Sequence, residues 1–145
     1  MEAKCQCEAI TLPLPGQPIK VYHCHCTECR RQSASAYGTS AVFPADAIFP
    51  IPDELRAKMG MWSRPADSGR TVDCYFCRGC GVRLFHRIIG VDGTPRETVT
   101  VKGGLVDGLD WKGATHIFTK SAVVPIPEGA EAFEAEPPVM AGRES

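Results

Sequence analysis

The sequence predicts a mostly β fold with one or two short helices, on three observations. Short β-rich or alternating runs recur along the chain, its 14 glycines and 12 prolines are spread between them, and no long window carries helical periodicity. The 145 residues suffice for one domain with a real core and are too few for two comfortable ones. The expected division is a single β domain over 1–137 and a flexible C-terminal tail over 138–145, where the Glu-, Ala- and Pro-rich stretch "PEGAEAFEAEPPVMAGRES" runs out.

Taken in order, the strand candidates are "AITLPL", "IKVYHC", "YGTSAVF", "TVDCYFC", "VRLFHRI", "ETVTVKGG" and "HIFTKSAVV". Each is rich in β-branched or aromatic residues and is set off by turn signals. Two short helices fit between them. One opens in "TECRRQSA", with Thr27 placed to cap it, and "DELRAKMG" (53–60) reads as another, stopped by Gly60.

Composition excludes several function classes. With 43% hydrophobic and 23% charged residues the chain is ordinary for a soluble protein, and no apolar run reaches the length of a membrane span. The opening "MEAKCQCEAI" lacks the apolar core of a signal peptide, so the expected location is the cytoplasm. A formal net charge of −1, with no basic face beyond Arg30–Arg31, argues against a nucleic-acid partner.

In a reducing compartment the eight cysteines point to metal or catalysis rather than to disulfides. They fall into "CQC" (Cys5, Cys7), "CHCTEC" (Cys24, Cys26, Cys29) and "CYFCRGCG" (Cys74, Cys77, Cys80). On an extended strand, residues two apart share a face, so Cys5 and Cys7 can present both sulfurs to one ion. Cys77 and Cys80 have the C-x-x-C spacing of a metal knuckle, with Gly79 and Gly81 easing the backbone. The two pairs together make a closed four-cysteine site. Cys24, Cys26 and Cys29 remain as a three-cysteine site with one position open, which is what distinguishes catalytic from structural zinc.

Other readings compete. Some cysteines could be plain core, and "CTEC" could be a redox pair, although no βαβ pattern surrounds it. Cys74 alternates with Val72 and Phe76 on one strand face and opposes Cys77, so it reads as a buried non-ligand. His23 and His25 have opposite parity to the cysteines between them and would face away from a metal there. His86 and His116 read as structural histidines.

The ordered motifs "CQC", "CHCTECRRQSASAYGT", "FCRGCGVRLFH" and "HIFTKSAVVPIPEGAEAFEAEP" resemble the glutathione-dependent formaldehyde-activating enzyme family, which also contains centromere protein V. The resemblance implies a small zinc-containing β-tent of paired antiparallel sheets. It implies one structural zinc on Cys5, Cys7, Cys77 and Cys80 and one catalytic zinc on Cys24, Cys26 and Cys29. It also implies carbon–sulfur lyase chemistry, in which the thiol of glutathione adds to formaldehyde to give S-hydroxymethylglutathione. The sequence departs from the family pattern in places. The usual G-x-C-x-C-G is here "AKCQCE", a frequent Ser-Gly is Ser33-Ala34, and Phe118 and Val124 stand where tryptophan is common.

Chemistry favours the same reaction class. Three thiolates make a bound zinc a weaker Lewis acid than three imidazoles would, which suits delivery of a substrate thiolate. Arg30 and Arg31 could hold the carboxylates of a small anionic thiol such as glutathione, or could be solvated surface arginines. The alternatives are a non-enzymatic zinc-binding interaction module and a methionine-sulfoxide-reductase-like enzyme on the same fold. Both a monomer and a homodimer remain open.

Overall fold

The structure is a computed structural model that describes residues 1–137; the expected tail at 138–145 lies outside the described residues. In chain order the elements are β1 (Glu2–Lys4), β2 (Thr11–Pro13), β3 (Lys20–Cys24), α1 (Thr27–Ser33), β4 (Gly38–Pro44), α2 (Asp53–Arg56), β5 (Met59–Pro65), β6 (Thr71–Cys77), β7 (Arg83–Ile89), β8 (Thr98–Lys102), β9 (Val106–Asp107) and β10 (Thr115–Ile117). Two sheets form, with strand orders β2-β1-β9 and β10-β3-β4-β8-β7-β6-β5. Every pairing between these strands is antiparallel except that of β10 with β3, which is parallel. Among the described residues no helix is long and apolar enough to cross a membrane.

Strand alternation sends the apolar residues of the two sheets into one core. Ala3, Leu12 and Val106 from the small sheet pack with Ala41, Phe43, Phe85, Val99 and Val101 from the large one. Burial of a side chain the size of phenylalanine or valine stabilises by about 1.5–3 kcal/mol. The large sheet therefore has a core face, and its other face is covered only in part. On that other face Tyr22, Cys24 and Ile117 cluster with Val42, Phe118 and Phe133. The backbone of Phe133 donates to His116 O at 2.9 Å, and His116 N donates to Glu131 O at 2.9 Å, which lays the late segment along β10.

Several expectations are corrected. Of the run "HIFTKSAVV" only His116 and Ile117 are strand, as the end of β10 (Thr115–Ile117), after which Phe118 turns left-handed at φ 55° and opens a 3-10 turn. Cys26, not Thr27, caps α1, its sulfur accepting from Cys29 N at 3.3 Å. The helix in "DELRAKMG" is a single turn, Asp53–Arg56, and Gly60 does not end it. Gly60 lies inside β5 opposite Phe76, whose ring fills the space where a side chain would stand.

A Cβ on Gly60 would sit 2.2 Å from Phe76 Cζ. Gly60→Ala is therefore expected to cost about 1–3 kcal/mol through displacement of that ring, read as a lowered denaturation midpoint with an unchanged slope.

Candidate metal centres

The first centre joins the two sheets. Cys5 and Cys7 follow β1, while Cys77 ends β6 and Cys80 follows it, and the four sulfurs all lie within 4.8 Å of one another. Cys5 and Cys7 are presented by a turn rather than by a strand: Glu8 N donates to Cys5 O at 3.0 Å and Glu8 has φ 61°. The second pair sits on a tight turn in which Gly81 N donates to Cys77 O at 2.8 Å. Gly81 takes φ 78°, which favours glycine, whereas a Cβ on Gly79 would make only ordinary contact with Cys7 and Cys77.

The donor set fits a tetrahedral ion. Cys5 Sγ lies 3.6 Å from Cys7 Sγ, and Cys7 Sγ lies 3.7 Å from Cys77 Sγ. A zinc–sulfur bond of about 2.3 Å gives a tetrahedron whose edge is about 3.8 Å. Backbone amides point at two of the sulfurs. Ile10 N donates to Cys5 Sγ and Gly79 N to Cys77 Sγ, each at 3.3 Å. The amides of Val82 and Cys7 draw the Cys80 thiol down to about 6.

The second centre stands on the other face of the large sheet. Cys24 ends β3, Cys26 caps α1 and Cys29 lies in its first turn, and their three sulfurs also fall within 4.8 Å of one another. No further cysteine, histidine or carboxylate joins either group among the described residues. Three thiols this close share protons. Hydrogen bonds to Cys24 and Cys29, with backbone amides behind them, hold Cys26 far below the ordinary thiol range. Hydrogen bonds to Cys26 and Cys29, then burial, push Cys24 up.

The histidines near Cys24 gather elsewhere. His23 meets Thr39 Oγ1 at 2.9 Å, and His25 Nε2 meets His116 Nδ1 at 2.9 Å, with Tyr37 packed against the rings of both His23 and His25. Burial, then the neighbouring His116 and His25, lowers His23 to about 4. Cys74 is fully buried in β6, outside both sulfur groups, with its thiol directed to Val72 O at 3.6 Å. Arg30 and Arg31 line a surface hollow with Thr27, Ala34 and Ser35; Arg30 reaches Thr27 Oγ1, and its Nε is buried without a partner.

One functional candidate escaped the sequence. Register places Trp62, Cys74, His86, Thr100 and Val42 in a row across the sheet, and Lys102 stands on the same face opposite Ser40. Arg83 donates to His86 Nε2 at 3.0 Å and lies over the Trp62 ring. Burial first, then Lys102 and Arg83, keeps His86 neutral by lowering its pKa well below the usual value. Lys102 is buried and neighbours the three cysteines. A lysine in the run "VTVKGG" carries no local signal of this position, because only the paired strands show which groups share its face.

Two departures from the resembling family's glycine pattern acquire a physical meaning. Glu8 follows the second cysteine of "CQC", and Ala34 ends α1; both hold left-handed backbone, at φ 61° and 51°. The turns are kept without the residue that adopts them at no steric cost.

The chain belongs to the glutathione-dependent formaldehyde-activating enzyme family, whose sequence profile matches residues 1–121. A stretch of 88 residues, 61% of this chain, is 25% identical to a Penicillium rubens protein named "Putative glutathione-dependent formaldehyde-activating enzyme". The match covers 43% of that protein, so the chain spans less than half of its length.

Two outcomes are expected. Ala34→Gly should stabilise the fold by about 1 kcal/mol, by relief of left-handed strain in a residue bearing a Cβ, as an increase in thermal midpoint. Cys74→Ala should leave the metal content of purified protein unchanged, whereas Cys77→Ser should lose one equivalent and the cooperative melt together, both read by metal analysis beside calorimetry.

Proposed function

We propose that this protein is a carbon–sulfur lyase acting on a small thiol adduct, of the type that interconverts glutathione and formaldehyde with S-hydroxymethylglutathione. The observation that carries this reading is the three-sulfur group, Cys24, Cys26 and Cys29, which offers a tetrahedral ion one donor fewer than it needs. Family membership supports it, since the family's name specifies glutathione and formaldehyde. In this reading Cys5, Cys7, Cys77 and Cys80 hold a structural zinc, and Cys24, Cys26 and Cys29 hold a catalytic one.

Zinc at the three-sulfur group would supply an open position where a substrate thiol is held deprotonated and a carbonyl is polarised. The chain's own groups do the rest. Cys26, fixed as the cap of α1 and hydrogen-bonded by Cys29 N, anchors the sulfur donors at the helix start. Phe118 and Phe133, packed with Cys24, wall one side in apolar surface and restrict water. Arg30 and Arg31, with the unpartnered Arg30 Nε, offer guanidinium donors to the carboxylates of a glutathione-like thiol. The reaction balances simply. The thiolate sulfur bonds to the aldehyde carbon, the carbonyl electron pair moves to oxygen, and that oxygen takes a proton from solvent while the thiol's proton is released.

The test is adduct formation from glutathione and formaldehyde by zinc-loaded protein, measured against the spontaneous rate, with other thiol–aldehyde pairs in parallel. Cys29→Ser is expected to remain folded and to lose activity by at least about 100-fold. Mild chelation of the wild type should remove one metal equivalent while the thermal melt stays near native, the second leaving only with unfolding. Full activity in Cys29→Ser would refute the assignment, as would simultaneous departure of both ions.

A further inference from the structure

Lys102 lies at the end of β8, only 7% exposed. The ion pairs among the described residues are Lys4–Glu2, Lys20–Glu131 and Arg64–Glu28, and Lys102 takes part in none of them. A buried ammonium without a counter-charge is costly: burial first, with Arg83 adding repulsion, lowers Lys102 from the usual lysine range. The groups that oppose this are Cys29, Cys24 and Cys26, each of which favours the charged amine. The space between amine and cysteine exists because residue 38 is glycine. A Cβ there would stand 3.3 Å from Cys29 Cβ and 3.6 Å from Lys102 Nζ. His86, which faces the same layer, accepts from Arg83 and contributes no negative charge.

Charge counting gives this placement a consequence. Three thiolates and a divalent ion sum to −1, and an anionic fourth ligand brings the centre to −2. A protonated lysine across Gly38 from Cys29 reduces these to 0 and −1. We propose that Lys102 is a positioning residue which compensates the charge of the three-cysteine centre and so selects an anionic, thiolate-type fourth ligand over a neutral one. The inference rests on the reading that these cysteines hold a metal with one open position. It adds what that position prefers, and names a residue two strands from Cys24 that sets the preference.

The test is spectroscopic and needs no turnover. The full chain is loaded with cobalt(II), and the open position is titrated at fixed pH with 2-mercaptoethanol, which binds as a thiolate, and with neutral imidazole. A four-sulfur centre has no open position and contributes a constant background. Lys102→Met is expected to weaken mercaptoethanol binding by about tenfold or more and to leave imidazole within about twofold. Lys102→Arg should restore most of the thiolate affinity, which a merely structural role would not explain. If the methionine variant fails to fold, Lys102→Gln is read in the same way. Equal losses for both ligands, or no loss for either, overturn the inference. So does wild-type protein that binds imidazole more tightly than mercaptoethanol. Selectivity in a protein that forms no adduct with formaldehyde would refute the lyase reading and leave the role of Lys102 standing; lyase activity without selectivity would do the reverse.

Discussion

The convergence of Cys5, Cys7, Cys77 and Cys80 is the constraint on which the rest of the structure depends. The small sheet consists of two three-residue strands and one of two residues, too little to be stable by itself. It packs against the large sheet through the shared apolar core, and at one rim sulfurs from both sheets converge. Ala3 of β1 packs with the core residues of β4, β7 and β8, and the three-cysteine group stands on the opposite face of the large sheet. The two sulfur groups thus divide between the joint of the fold and its partly open side.

On the open side, precision comes from a change of element type. A strand end, a helix cap and the first helical turn supply Cys24, Cys26 and Cys29 in succession, so three backbone geometries converge within six residues. Parity within β3 turns His23 to the core face, where it meets Thr39. Alternation thereby separates an imidazole cluster from a thiol cluster although the residues are sequence neighbours.

Much of this was legible from residue order. Six of the seven strand candidates contain or closely match strands of at least three residues, and the cysteine spacings sort into the two groups the structure assembles. What escaped has identifiable causes. β5 was obscured because "MGMWSRP" follows a helical turn and includes Gly60, whose place in the strand is set by Phe76 across the sheet. β1 and β9 are too short to show a period, and they pair across a separation that no local pattern reveals. The curved presentation of Cys5 and Cys7 depends on a left-handed glutamate, which propensity argues against. Lys102 was invisible for a further reason, since its surroundings come from β3, β4, β7 and α1, and its burial is a property of the assembled face.

The pairing of Glu2 with Asp107 also bears on how the chain emerges during synthesis. The hairpin of β1 and β2 can form at once, but its outer partner does not exist until about ninety further residues have been made. At roughly 5–20 residues per second, that interval lasts several seconds. Throughout the wait Cys5 and Cys7 are two thiols without the partners that bury them, open to oxidation or to a passing metal. Metal captured then would have to be completed by donors that arrive seventy positions later. On the proposed reading of these four sulfurs as a zinc site, the supply of reduced thiols and exchangeable metal during synthesis would bear on folding.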